Sequence, residues 1–365
     1  MKWSLFLGKP WGIKLYIHWT FLILIAWVLY TQLSQGTPMP EALIPIGFVL
    51  AVFACVTLHE YGHALAARRF GVGTKQITLL PIGGVASLEK IPEKPREELI
   101  VAAAGPLVNV AIALVLAGLL YALGIPLLPS GNGESISGSN FLASLLAVNI
   151  ILVLFNLIPA FPMDGGRMLR ALLALRMDRT VATRWAASIG QFFAILFALG
   201  GLLVGNPFLI FIGVFIYLGA QAEYQNVSST SLLEGYKVRD ITMHSFTPIH
   251  PFDRLEKVVR IMLDGQEDHF VVLDNDQVVG TLSKREIISG LNKGGEEIAV
   301  QQVMNKAVQA VDPEQPLEDA MLILQQQKGQ VVPVVQAGRF VGMLDLENIS
   351  EFLLVQTALK QREDE

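Results

Sequence analysis

The chain has 365 residues, 52% hydrophobic and 16% charged, with a formal net charge of −5; soluble domains carry about 25% charged residues, so much of this chain is expected in lipid. Residues 1–222 hold 14 Lys and Arg against 9 Asp and Glu, whereas residues 223–365 hold 13 against 23, which sets a domain boundary near Glu223 and argues against nucleic acid as a partner. The single cysteine, Cys55, excludes an intrachain disulfide and a cysteine-based zinc site.

In chain order, apolar segments at 16–33, 44–67, 98–124, 140–159, 182–204 and 207–222 are long enough, or nearly so, to cross a bilayer, which takes roughly 20 residues. The first lacks a small-residue cleavage site and is expected to stay as an anchor rather than leave as a signal peptide. The last is short and follows Gly205-Asn206-Pro207, a turn that pairs it with the fifth as a helical hairpin. All 14 basic residues of 1–222 precede the first segment or lie between the second and third or the fourth and fifth, with Arg184 just within the start of the fifth. The positive-inside rule makes that side cytoplasmic. Six spans with both termini in the cytoplasm follow, in the plasma membrane of a bacterium or archaeon.

The second segment ends in His59-Glu60-Tyr61-Gly62-His63, the pattern H-E-x-x-H. Residues four apart share a helix face, so His59 and His63 can reach one zinc ion, with Glu60 beside it as general base. Ionisable groups are costly within an apolar helix; the competing reading makes the histidines hydrogen-bonding glue between helices. A catalytic zinc needs a third protein ligand. Asp164, in "FNLIPAFPMDGGRMLR" directly after the fourth segment, is the candidate. His63 lies five residues before Arg68 and Asp164 three before Arg167, so both sit within about 5–8 Å of the basic boundary if helical. Arg167 and Arg170 read as interfacial anchors.

"HEYGH" in a span, followed by "NLIPAFPMDGGR", resembles the site-2 protease family of intramembrane zinc metalloproteases. That resemblance covers about 10–222 and assigns His59, His63 and Asp164 as ligands of one Zn²⁺ per chain and Glu60 as the catalytic residue. "LLPIGGVASLEK" resembles the family's Gly-rich loop and "AAAGPLVN", with Gly105 and Asn109, its third-span motif. Gly83, Gly84 and Pro92 preclude a long helix there; a β-like segment would bind an extended substrate strand through its main chain, the alternative being a plain loop. Asn156 is a candidate for binding substrate backbone or an oxyanion, or a helix cap. The loops on the far side are too short for the PDZ-like insertion that some members carry.

Beyond the last span, 223–236 reads as a flexible linker with a reach of roughly 20 Å. Two repeats follow at a spacing of 62, matching Pro251 with Pro313, Leu255 with Leu317 and Gly280 with Gly342. Each reads as helix, two strands, helix. They resemble a tandem CBS-domain pair, 237–295 and 296–355, before a charged tail at 356–365. Such pairs bind adenine nucleotides through Gly-h-h-Ser/Thr-x-x-Asp; the first repeat offers Ser283 and Glu286, while the second has lost both polar matches. Dimerisation, giving a homodimer, or substrate docking is the competing role.

The expected fold is thus a polytopic α-helical membrane protein with a cytoplasmic α/β tandem CBS module. The expected activity is zinc-dependent endopeptidase cleavage in or near a transmembrane segment of a membrane-protein substrate. A CBS-regulated transporter and a non-catalytic membrane scaffold are the alternatives.

Overall fold

The computed structural model describes residues 4–81, 83–88, 92, 94–128, 136–265, 267–327 and 331–363. It forms two compact units, Met1–Gln225 and Asn226–Glu365.

The first unit begins with an antiparallel pair, β1 (Ser4–Gly8) and β2 (Lys14–His18), before helices α1 (Thr20–Ser34) and α2 (Met39–Arg69). Strand β3 (Thr74–Leu80) then pairs parallel to β2, and β4 (Gly83–Leu88) antiparallel to β3. The order β1-β2-β3-β4 leaves β4 on an outer edge. Helices α3 (Pro95–Ala122), α4 (Phe141–Asn156), α5 (Asp164–Ala174), α6 (Arg179–Val204) and α7 (Pro207–Leu233) complete the series.

Two expected boundaries are corrected here. The first apolar segment was expected to span from residue 16, but Lys14–His18 is strand. Its apolar residues alternate: Leu15 and Ile17 pair with Ile77 and Leu79 of β3 and pack beside Tyr61 and Ala64 of α2. A period of two serves a sheet, not a helix. The expected linker at 223–236 is largely helix, because α7 continues to Leu233; the end of that helix is fixed by burial of Leu233 in the core of the second unit. Helices α2, α3, α6 and α7 are long and apolar enough to cross a membrane. Helices α1 and α4, of 15 and 16 residues, fall short of the roughly 20 a perpendicular span uses.

Helix α6 packs through small residues and turns large ones outward. On α6 the buried positions are Ala182, Thr183, Ala186, Ala187, Gly190, Ala194 and Gly201, spaced at three, four and seven. Phe192, Leu199, Leu202 and Leu203 are exposed. Lipid tails are as apolar as leucine, so close backbone approach, not burial of bulk, drives such packing.

The second unit holds α8 (Leu255–Leu263), β5 (His269–Asp274), β6 (Gln277–Ser283), α9 (Lys284–Gly294), α10 (Leu317–Gln326), β7 (Val332–Gln336), β8 (Arg339–Leu344) and α11 (Leu346–Glu363). Each hairpin turns on two residues with positive φ, Asn275-Asp276 and Ala337-Gly338, the conformation that matches strand twist. The spacing of 62 recurs throughout: Ile249 bridges Val272 as Val311 bridges Val334. The cores correspond too, Leu255 with Leu317, Phe270 with Val332 and Ile287 with Ile349. One exchange was not expected. Val300 completes the core of the first repeat and Val238 that of the second, so each repeat is closed by a segment preceding the other.

Candidate metal centre

Helix α2 carries His59 and His63 one turn apart, both buried. The chain reaches them again at Asp164. Helix α4 ends at Asn156, Pro159 and Pro162 prevent its continuation, and α5 restarts with Asp164 as its first residue. The carboxylate turns to the histidines rather than capping its helix. Asp164 Oδ2 lies 3.1 Å from His63 Nε2 and 3.2 Å from His59 Nε2, and the two Nε2 atoms are 3.1 Å apart.

The other ring nitrogens decide what this triangle can hold. His63 Nδ1 lies 2.8 Å from the Val101 carbonyl of α3; a carbonyl only accepts, so Nδ1 donates and Nε2 bears a lone pair. His59 Nδ1 donates to Asn109 Oδ1 at 2.7 Å, again freeing Nε2. Three lone-pair atoms then face one another, an arrangement that repels unless a cation lies among them. Tetrahedral zinc with N and O ligands at about 2.0–2.1 Å separates its ligand atoms by roughly 3.3 Å, close to the spacings here. Among the described residues these three form the one His/Cys/Asp/Glu group able to hold a metal ion.

Helix α3 must come unusually near to supply Val101 and Asn109. Gly105 permits it: a Cβ there would lie 2.1 Å from His63 Nε2 and 2.8 Å from His59 Cε1. A second glycine serves the other side. A Cβ on Gly84 of β4 would lie 2.6 Å from Glu60 Cγ and 3.2 Å from its Oε1. The edge strand therefore runs directly over the Glu60 side chain. Gly83, beside it, has φ +137 and open space around its α-carbon. Asn156 is half-buried at the end of α4.

Arg170 is no interfacial anchor. Its side chain is fully buried, bonding Glu98 of α3 at 2.5 Å and Glu223 of α7 at 2.6 Å, with Phe161 under the guanidinium. A charge that could reach the interface stays inside because two carboxylates meet it there. In the second unit, Ser283 and Glu286 form a capping box at the start of α9: Glu286 Oε2 accepts from the Ser283 backbone N–H at 3.1 Å and from its hydroxyl. The sequence reading missed Glu98 and Asn149 altogether; the signal, a polar residue inside an apolar run, was present at Asn149, whereas Glu98 follows Arg96 and Glu97 at the charged edge of its run.

The profile of peptidase family M50 matches residues 47–130 and 124–199, and that of the CBS domain matches 238–293 and 300–355. A zinc metalloprotease of Methanocaldococcus jannaschii is 32% identical over 349 residues, covering 96% of this chain and 96% of that protein. The chain belongs to peptidase family M50. It is a membrane metalloprotease of the site-2 protease family, with a tandem CBS pair at its C-terminal end. Stage IV sporulation protein FB of Bacillus subtilis is 24% identical over 251 residues, 66% of this chain and 82% of that one. The solved site-2 protease from Methanocaldococcus jannaschii matches this M50 chain at 37% identity, covering 61% of it and 95% of that chain, with a TM-score of 0.44.

Proposed function

We propose that this M50 protein is a zinc-dependent intramembrane endopeptidase that hydrolyses a peptide bond in or near a transmembrane segment of a membrane-protein substrate. The observation that carries the reading is the meeting of His59, His63 and Asp164 between apolar helices, with Glu60 and an edge strand alongside. His59 Nε2, His63 Nε2 and Asp164 Oδ2 hold the metal. Zinc bound in such a site supplies Lewis acidity, activating water and polarising a carbonyl. Glu60 takes the proton from the attacking water and returns it to the leaving amine.

A peptide bond inside a helix is shielded by its own hydrogen bonds, so the substrate must first become extended. Strand β4 offers an unpaired edge for it, and strand addition would satisfy the unwound backbone in a setting with little water. The bare α-carbon of Gly84 lets that strand pass close to Glu60, and Gly83 beside it is placed in the reading as a further contact to substrate. Asn156, at the end of α4, is placed in the reading as a contact to substrate backbone.

The six-span topology has α1 and α4 as short spans and both termini in the cytoplasm, which puts the zinc site near cytoplasmic water. The CBS pair acts as a regulatory or substrate-docking module, with Ser283 and Glu286 as its nucleotide contacts in the first repeat and a homodimer as its further assembly state.

The test is cleavage of a single-span substrate by detergent-solubilised protein, with metal content measured in parallel. Glu60→Gln keeps zinc and loses roughly 10²–10⁴-fold in turnover; Asp164→Ala loses the zinc. Turnover by Glu60→Gln equal to that of the parent would sink the peptidase mechanism. Removing residues 237–365 should leave zinc content intact and change the rate or substrate selectivity; unchanged kinetics, with and without ATP, would deny the module a role in cleavage.

A further inference from the structure

The centre of the membrane unit holds two more polar side chains that the proposed reaction does not use directly. Asn109 of α3 and Asn149 of α4 are both 0% exposed. Asn109 Nδ2 donates to Asn149 Oδ1 at 3.0 Å, and Asn149 Nδ2 donates to the Leu145 carbonyl at 2.9 Å. Cys55 Sγ lies 3.5 Å from the same Nδ2.

An asparagine amide has a donor end and an acceptor end, and nothing in its shape selects between them. Here the choice is forced from one end of a chain of bonds. The Leu145 carbonyl can only accept, so Asn149 must present Nδ2 to it and Oδ1 to α3. That oxygen can only accept, so Asn109 must present Nδ2 to it and Oδ1 to α2. His59 Nδ1 must then donate, and its Nε2 lone pair faces His63 and Asp164. The opposite orientation of Asn109 would set its amide N–H against His59 Nδ1. It would drive the imidazole proton to Nε2, the position from which metal must be bound, and would set two amide oxygens against each other.

We infer that Asn149 is a positioning residue for the metal site: without touching the metal or its ligands, it fixes the orientation of Asn109 and through it the tautomer of His59. The inference rests on the reading of His59 as a metal ligand. It also accounts for two fully buried amides in an apolar setting, where an unsatisfied polar group is costly. Ordinary helix glue would need a bond between α3 and α4; it would not need that bond to run on to a ligand.

The experiment measures Zn²⁺ affinity of full-length, detergent-solubilised protein by competition with a chelating dye, and the visible absorption of the Co²⁺-loaded form. Asn149→Ser keeps a hydroxyl for the Leu145 carbonyl but no longer reaches Asn109. It should weaken zinc binding by about tenfold or more, the usual effect of losing support to a ligating histidine, and alter the cobalt spectrum. The decisive variant is Asn109→Asp combined with Asn149→Ser. A carboxylate offers only acceptor oxygens to His59 Nδ1, so its orientation needs no support from Asn149. Zinc affinity should return to within about threefold of the parent, since carboxylate–histidine pairs hold metal well.

Parent-like affinity in Asn149→Ser overturns the inference. So does a double variant as weak as the single one, since a packing defect would not be repaired from the neighbouring helix. If Asn149→Ser does not give monodisperse protein, Asn149→Ala makes the same comparison. His59→Ala serves as the control: retention of zinc there would remove the ligand assignment itself, whereas loss of zinc there alongside parent-like Asn149→Ser would reject only the role of Asn149.

Discussion

The two units of this chain differ in the polar groups they bury. In Met1–Gln225 many large apolar side chains face outward, and the buried set includes, beside its apolar clusters, His59, His63, Glu98, Asn109, Asn149, Asp164 and Arg170. In Asn226–Glu365 the two cores are apolar, and Thr281 and Ser283 are the buried polar residues among those described. The difference teaches where chemistry is visible. Lipid cannot solvate a charge or an amide, so such groups turn inside the first unit, where each answers to a partner or a metal. In the second unit few polar residues are buried, and a serine at a helix start is accounted for by the helix. Ser283 and Glu286 are bonded to each other as a cap, so a nucleotide using them must compete with the helix terminus.

Breaking a buried pair in the first unit should have the largest effect on stability. Arg170→Met strips Glu98 of its close partner and leaves a carboxylate inside the bundle, at a cost of about 3–5 kcal/mol. The midpoint of thermal unfolding of the solubilised protein should fall sharply, and adding Glu98→Gln should recover most of the loss. If Arg170→Met unfolds with the parent, the buried cluster contributes nothing to stability and the contrast between the units weakens.

The capping box gives a smaller number. Ser283→Ala should destabilise the second unit by about 1 kcal/mol, the usual cost of losing a helix N-cap. Chemical denaturation followed with and without ATP separates the two roles of this residue. A loss that is the same in both conditions marks a cap alone; a loss of ATP-dependent stabilisation marks a nucleotide contact.

The smallest effect is expected at the surface. Burial pushes the Asp253 carboxyl up, but hydrogen bonds from Lys257 Nζ at 2.7 Å and the His250 backbone N–H at 2.8 Å outweigh it and hold the group below the ordinary carboxylate range. A depressed folded-state value stabilises above the unfolded value, near 3.9, and the contribution is lost as pH falls through the folded one. Asp253→Asn should therefore cost under about 1 kcal/mol at neutral pH, as exposed pairs do, and nothing measurable once both forms are protonated. A difference that persists in acid would point to the backbone bond rather than to charge.

Much of this was legible from the chain alone. The H-E-x-x-H spacing put two histidines on one helix face, since helical periodicity is local. The charge distribution and the 62-residue repeat marked the two halves, because both are properties of sequence order. Sequence also singled out Asp164, by depth and by default, but not its orientation.

What only the tertiary structure decided concerns groups brought together from distant positions. Lys14–His18 reads as part of an apolar span until β3 supplies its partner 62 residues on, Lys14 opposite Gln76. Arg170 reads as an anchor until Glu98 and Glu223 arrive from two other helices. The exchange of Val238 and Val300 between the repeats is invisible to any alignment of one repeat on the other, which pairs equivalent positions and not contacting ones. The direction of each ring nitrogen in His59 and His63 depends on α3 and α4, elements 38–50 residues and more away. A sequence fixes which donors and acceptors exist and their local period; which end of an amide faces which ring is set by the helices packed around it, because hydrogen bonds in an apolar interior can be satisfied only by what lies alongside.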